Sequence, residues 1–282
     1  MDPAPPNLLW VAGEISGDHH AGAVAAEVRR GAPHLTRWGL GGPTLRAAGV
    51  ETLHDVDELA VMGLGEVLRR YGFFRRVMRA LVAEARRRRP VAAVLVDYPG
   101  FNLRLARELK QLDIPVIYYV CPQVWAWHRE RMHTMAQSIK HLLVIFPFEV
   151  ELFQGTGLPV TYVGHPLVAP ARAARAAPPV ALPWGAHPRI ALLPGSRRQE
   201  LERLLPGMLA AAQRLEQTHG GSYLVAAPNA PLSAYADPLL AATPHKPAAI
   251  DIVTGQTRPL LRQARAAWVT SGTATLEAAL LR

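Results

Sequence analysis

Three short stretches of this sequence carry polar side chains at spacings that suit work on a ligand. In VLVDYPGFN, Asp97 is a lone carboxylate at the end of the apolar run VAAVLV, and Tyr98-Pro99-Gly100 breaks the chain directly after it. Such a β-branched run is expected for a parallel strand covered on both faces. Open α/β sheets bind ligands beyond the carboxyl ends of their strands, so Asp97 stands where such a sheet does its chemistry. An aspartate there can equally cap the helix that FNLRLARELKQL predicts. In LLPGSRRQE, Gly195 and Ser196 sit at a strand-to-helix junction with Arg197 and Arg198 behind them. Ser196 to Gln199 has the S-x-x-Q spacing of a capping box, and a helix start with two arginines suits a pyrophosphate. A surface capping box with no ligand is the other reading. In SGTATLE, the small residues Ser271, Gly272 and Thr273 would let a nucleotide phosphate rest on the amides of the next helix. Glu277, about a turn further on, offers two oxygens to the two hydroxyls of a ribose.

The elements that must hold these groups alternate between strand and helix signals, which predicts α/β architecture with parallel sheets. The first series reads strand LLWVAG, helix AGAVAAEVRR, strand RWGLGG and a long helical stretch to Arg89. Strands VAAVLV, PVIYYV, HLLVIF and VTYVG follow, with helices between them. In AGEISGD, Gly13 and Gly17 would allow a close backbone approach to a ligand, and Ser16 or Asp18 would cap the helix. Residues 169–188 are rich in Ala and Pro without periodicity and read as a linker between a domain at 1–168 and another at 189–282. The second series is RIALLP, ELERLLPGMLAAAQRLEQ, YLVAAP, a helical segment after Pro231, DIVT, RPLLRQA, AAWVT and ATLEAALLR. Four strands and a last helix without a cap predict a second domain that is incomplete, in a chain truncated at its C-terminus.

Composition narrows the class. Hydrophobic residues make up 50% and charged residues 19% of the 282, a globular balance. The one cysteine, Cys121, rules out an intrachain disulfide and reads as a small buried hydrophobe. No basic leader or bilayer-length apolar run is seen, which predicts a soluble or peripheral protein. The net charge of +9 is nearly all arginine. No nucleic-acid module accompanies it, so phosphorylated ligands and an acidic membrane surface are the expected counterparts.

Residues 61–89 place apolar side chains at near-helical spacing among many arginines. The later part, with Val77, Leu81 and Val82, is expected to pack inward. The part containing Met62, Leu64, Val67, Leu68, Phe73 and Phe74 is expected to face acyl chains. Asp55-Val56-Asp57 has a D-x-D spacing but falls in a polar connection and carries little weight as a metal site. His128 and His133 do not share a helix face as metal ligands would. One of His19 and His20 is a candidate substrate contact. His165 is either a donor contact or a hydrogen-bonded structural histidine.

In chain order, AGEISGD, GLGGP, LVDYPGFN, PQVWAW, LLPGSRRQE and SGTATLE together resemble bacterial lipid-A-disaccharide synthase, a family of inverting glycosyltransferases, from about Leu8 onward. The resemblance implies two Rossmann-like domains of glycosyltransferase B type with the active site in the cleft between them. It implies transfer of 2,3-diacylglucosamine from UDP-2,3-diacylglucosamine to 2,3-diacylglucosamine 1-phosphate, with UDP released and neither cofactor nor metal. Asp97 would then be the general base. Glu14, Ser16, Gly17, Asp18, Asn102, Gln123 and Trp125 would line the acceptor side. Gly195, Ser196, Arg197, Ser271, Gly272, Thr273 and Glu277 would hold UDP. The enzyme would sit peripherally on the cytoplasmic face of the inner membrane. Cys121, where serine is common, and Ala169, where aspartate is common, depart from the family pattern. Another UDP-sugar enzyme of the same architecture, or a remnant that only binds lipid, stays open as an alternative.

Overall fold

The computed structural model describes residues 5–56, 64–124 and 131–281, the side chains of 64–71 excepted. Two units divide the chain, Met1–His165 and Pro166–Arg282. The first contains β1 (Asn7–Ala12), α1 (Ile15–Gly31), β2 (Thr36–Gly41), α2 (Pro43–Ala47), β3 (Glu51–Asp55) and α3 (Leu64–Arg88). It continues through β4 (Ala92–Val96), α4 (Pro99–Lys110), β5 (Val116–Tyr119), α5 (Arg131–Ser138), β6 (His141–Val144), α6 (Phe148–Leu152) and β7 (Val160–Tyr162).

These seven strands form one sheet in the order β3-β2-β1-β4-β5-β6-β7, and every pair is parallel. Parallel pairing follows from helical crossovers, which cover both faces and leave the strands apolar throughout. Alternate residues of β1 show the consequence. Leu9 and Val11 join Val77 and Leu81 of α3 and Leu105 and Leu109 of α4 on one face. Trp10 and Ala12 join Ala21 and Ala25 of α1 and Leu45 of α2 on the other. The chain runs outward from β1 to β3, then returns to β4 on the far side of β1. The β1/β4 seam is therefore the switch point, where the loops after both strands diverge and leave a crevice.

The second unit contains α7 (Val168–Ala176), β8 (Arg189–Leu193), α8 (Arg198–His219), β9 (Ser222–Ala227) and α9 (Ala230–Ala242). β10 (Ile250–Thr254), α10 (Thr257–Gln263), β11 (Ala266–Val269) and α11 (Thr273–Leu280) complete it. Its four strands pair in parallel in the order β10-β9-β8-β11, so this sheet reverses at the β8/β11 seam. Ile190 and Leu192 pack with Leu201, Leu205 and Leu209 of α8, whereas Ala191 and Leu193 pack with Leu260 of α10.

Two expectations about elements are corrected. β3 lies inside the stretch read as helical. Glu-Thr-Leu-His-Asp is too short and polar to announce a strand, and it forms at the sheet edge, where Glu51 takes a two-pronged ion pair from Arg88 at 2.6 and 2.9 Å. The expected linker at 169–188 opens with a helix. Ala and Arg are strong helix formers, and Pro170 falls in the first turn of α7, where no N–H is needed. Pro178 and Pro179 follow its end. The segment after it is tied to the second unit by Arg262 Nη1 to the Ala177 carbonyl at 2.9 Å and Gln263 Nε2 to that of Val180 at 2.7 Å.

Asp18 has a different job from the one expected. It is 1% exposed and does not cap its own helix, whose N-cap is Glu14 without a side-chain bond. Instead its carboxylate reaches the start of α2. Oδ1 accepts the N–H groups of Gly42 at 2.7 Å and Leu45 at 3.2 Å, and Oδ2 accepts that of Thr44 at 2.9 Å. The glycines of GLGGP make room for this, because a Cβ on Gly42 would stand 2.8 Å from Oδ2. Asp18→Ala should therefore destabilise the first unit by about 2–4 kcal/mol, since three amides lose a charged acceptor. Urea unfolding measures this, and a loss below 0.5 kcal/mol, the range of ordinary surface substitutions, would contradict it.

Candidate active site

At the first switch point, β4 ends in two consecutive left-handed residues, Asp97 at φ 48° and Tyr98 at φ 49°. Residues other than glycine seldom adopt this conformation, and it persists only where the surroundings enforce it. Here the enforcement is visible. The Asp97 N–H donates to the Tyr119 carbonyl at 2.9 Å. The Asp97 carbonyl accepts from Tyr118 Oη at 2.6 Å and Asn102 Nδ2 at 2.8 Å. Directly after the neighbouring strand β5, Val120 is also left-handed, at φ 68°, an uncommon state for a β-branched residue.

The loop after β1 closes against this turn. A Cβ on Gly13 would lie 2.1 Å from the Tyr98 ring, so glycine is required there by the tyrosine. Glu14 on this loop and Ser16 in the first turn of α1 are exposed, and Gly17 packs beside the Val96 carbonyl. The Asp97 carboxyl is pushed up to about 6, first by burial and then by the charge of Glu14, against a hydrogen bond from the Tyr98 backbone. A carboxylate so tuned can accept a proton near neutral pH. Burial raises the Cys121 thiol well above its ordinary range, with Glu149 and Asp97 adding, so it is a poor nucleophile. Burial, then the neighbouring His165 and His19, hold His20 below the usual histidine range.

Several expected site residues are placed differently. Asn102 is 0% exposed; it donates to the carbonyls of Val96 and Asp97 rather than lining an open surface. Gln123 is exposed in the segment after β5. Phe73 and Phe74 are half-buried and pack against the core of the first sheet, because their positions on α3 fall on the face that carries Val77 and Leu81. Met62 and Trp125, together with Asp57 and His128, lie outside the described residues, as do the side chains of Leu64, Val67 and Leu68. Asp55 pairs with Arg46.

At the second switch point the loops after β8 and β11 start side by side, Leu193 opposite Val269. Gly195 is at φ 131°, and a Cβ there would lie 2.2 Å from Glu200 Oε2. That oxygen accepts the N–H groups of Ser196 at 2.7 Å and Arg197 at 3.2 Å. The cap is thus one residue later than S-x-x-Q predicts: Arg197 is the N-cap residue and Glu200, not Gln199, folds back. The reason is the Gly195 turn, which only a residue lacking Cβ permits. The amides expected to meet a phosphate therefore already hold a carboxylate, with the exposed Arg197 guanidinium 3.9 Å from it. Ser271, Gly272 and Thr273 are exposed at the start of α11. Glu277 Oε1 accepts from Arg258 Nε at 2.6 Å.

Sequence reading passed over Tyr118, Arg258 and Glu200, although Tyr118 and Glu200 stand in quoted motifs. Arg258 lies on the preceding helix α10, with no spacing signal. An open depression of about 560 Å³ lies at the opposite end of the second sheet, beside Ile250 at the start of β10. Two of its charged groups are engaged locally: Glu216 accepts the Ala248 and Ala249 amides, and Lys246 donates to the Leu240 and Ala241 carbonyls.

A family model described as lipid-A-disaccharide synthetase matches residues 8–282. The chain belongs to the lipid-A-disaccharide synthetase family. The lipid-A-disaccharide synthase of Anaeromyxobacter sp. (strain K) is 45% identical over 281 residues, covering 97% of this chain and 72% of that protein. That of Myxococcus xanthus (strain DK1622) is 41% identical over 284 residues, covering 99% and 73%. Among solved structures, the UDP-GlcNAc 2-epimerase from Neisseria meningitidis bound to UDP-GlcNAc superposes with a TM-score of 0.60 at 12% identity, covering 94% of this chain and 78% of that one. The calicheamicin glycosyltransferase CalG4 gives 0.56 at 14% identity, covering 98% and 77%. These likenesses show the glycosyltransferase B type of fold, and family membership makes the chain a glycosyltransferase of lipid A biosynthesis. Among the described residues, no helix of the family member is long and apolar enough to cross a membrane.

The raised Asp97 value has a stability consequence. The folded protein holds this proton more tightly than an unfolded chain with the ordinary value of 3.8, so the group's stabilising contribution is complete below that pH and is lost as pH rises through about 6. Asp97→Asn should accordingly raise stability at pH 8, by on the order of 2 kcal/mol, and change it little at pH 4. Denaturant titrations at both pH values test this; equal shifts at the two would contradict it.

Proposed function

We propose that this chain transfers 2,3-diacylglucosamine from UDP-2,3-diacylglucosamine to the 6-hydroxyl of 2,3-diacylglucosamine 1-phosphate. The observation that carries the reading is Asp97, a half-buried carboxylate of raised pKa held by a strained turn at a switch point. Asp97 takes the proton of the acceptor hydroxyl as its oxygen attacks the anomeric carbon of the donor. The bond from that carbon to the UDP oxygen breaks, its configuration inverts, and UDP leaves with the electron pair.

Arg197 and the amides of Ser196 and Arg197 stabilise the charge gathering on the leaving diphosphate. Glu200 must then yield those amides or share them. Ser271 to Thr273 offer further amides, and Glu277, steadied by Arg258, accepts the ribose. Glu14 and Ser16 border the acceptor next to Asp97. Exposed Arg75, Arg76 and Arg79 on α3 suit the anionic headgroups of a membrane on which both acylated substrates reside.

Product analysis by mass spectrometry tests the reaction. The acylated pair should yield the β-1,6-linked disaccharide 1-phosphate and UDP, whereas unacylated UDP-N-acetylglucosamine should not serve as donor. Turnover of the unacylated sugar alone would favour another UDP-sugar enzyme, and no turnover of either would favour a lipid-binding remnant. Asp97→Asn should lower kcat about 10²–10⁴-fold. The wild-type rate should fall as pH drops through about 6, where the Asp97 carboxylate takes up its proton. A variant within a few-fold of wild type would remove Asp97 from the mechanism. Arg197→Ala should weaken UDP binding by about 1.5–3 kcal/mol in calorimetry, the value of a hydrogen bond to a charged group; unchanged affinity would remove the arginine from the UDP site.

A further inference from the structure

Tyr118 lies on β5, directly beside Leu95 of β4, with its side chain 0% exposed beneath the strand ends. A phenol that deep needs a partner, because an unpaired buried hydroxyl is costly. Its hydroxyl donates to the Asp97 carbonyl at 2.6 Å. Asn102 of α4, also 0% exposed, donates its amide to the same carbonyl at 2.8 Å and to that of Val96 at 3.2 Å. Two buried side chains on different elements thus converge on one backbone oxygen. It belongs to a residue at φ 48°, whose own N–H is held by Tyr119 at 2.9 Å. A left-handed aspartate followed by a left-handed tyrosine would otherwise relax toward extended backbone and carry the carboxylate with it.

We propose that Tyr118 and Asn102 are a positioning pair: together they lock the backbone of Asp97 in the turn that aims its carboxylate at the acceptor. Neither touches substrate. The inference rests on the assignment of Asp97 as general base and adds to it the device that fixes that base in place. Once the turn is released, the carboxylate should move toward solvent, and its affinity for a proton should fall. The ionisable groups facing Asp97 are Glu14 from the loop after β1, Tyr98 beside it, and Tyr118 and Cys121 from β5 and the segment after it. Burial holds Tyr98, Tyr118 and Cys121 above their ordinary ranges, so the acid limb of the rate profile reports chiefly on Asp97 and its burial.

The test is Tyr118→Phe, which keeps the ring in the core and removes only the hydroxyl. We expect kcat about ten- to a hundredfold lower, as for a misplacement of a catalytic group by about an ångström, with KM for both substrates within about twofold. The acid limb of kcat should move to lower pH. Combining Tyr118→Phe with Asp97→Asn should cost little beyond Asp97→Asn alone, since residues acting as a unit are not additive. A purely structural tyrosine would lower the unfolding midpoint and leave kcat and the acid limb alone. That result, beside an inactive Asp97→Asn, would overturn the inference while sparing the general base. An active Asp97→Asn would overturn both. Should Tyr118→Phe fail to fold, Asn102→Ala is read in the same way: a displaced acid limb supports the pair, and an unmoved limb with wild-type kcat overturns it.

Discussion

The turn that ends β4 is the constraint around which the first unit is organised. A parallel strand must leave the sheet at its carboxyl end, and here it leaves through two left-handed residues that carry side chains. That conformation is unfavourable by itself, so everything beneath it is arranged to hold it. Tyr118 and Asn102 take the carbonyl, Tyr119 takes the N–H, and Gly13 clears space for the Tyr98 ring. The same packing strips water from the Asp97 carboxylate and raises its proton affinity. Strain, burial and a shifted pKa are thus three results of one arrangement, as is common where stability is traded for a functional group.

The second unit handles charge in the opposite way. At its switch point the free amides at the start of α8 are met by Glu200 from within the same helix. A carboxylate there satisfies the helix end when no other anion is near. A diphosphate brings more charge and more oxygens than one carboxylate, so exchange between them is a matter of relative strength. Glu277 is likewise engaged within the unit, accepting from Arg258.

Both units therefore use one topological device, a reversal of strand order, for different chemistry. The first presents carboxylates, Glu14 and Asp97, and suits proton removal from a hydroxyl. The second presents the exposed Arg197 beside helix-start amides that Glu200 already holds. This division agrees with the glycosyltransferase B type of fold and with membership of the lipid-A-disaccharide synthetase family.

Much of this was legible in the sequence, because the signals were local. The β-branched runs, the helical spacing between them and the glycines at strand ends announced an α/β chain with parallel sheets, and Asp97 was marked by standing alone at the end of such a run. The motifs carried enough pattern to reach the family. What the sequence could not determine depends on residues far apart in the chain meeting in space. Asp18 looked like a cap for its own helix and instead caps α2, because only the sheet brings Gly42 to it. S-x-x-Q pointed to Gln199, yet the backbone turn at Gly195 delivers Glu200. The edge strand β3 forms where Glu51 finds Arg88, and α7 occupies what read as linker, since alanine propensity shows weakly beside prolines. Tyr118 was one apolar letter in a buried strand; its hydroxyl gains meaning only when β5 is laid against β4 and the carbonyl of Asp97 turns toward it. Local patterning set the elements and the candidate chemistry, whereas strand order and burial decided which of the candidate side chains stay exposed at the strand ends and which hold the scaffold.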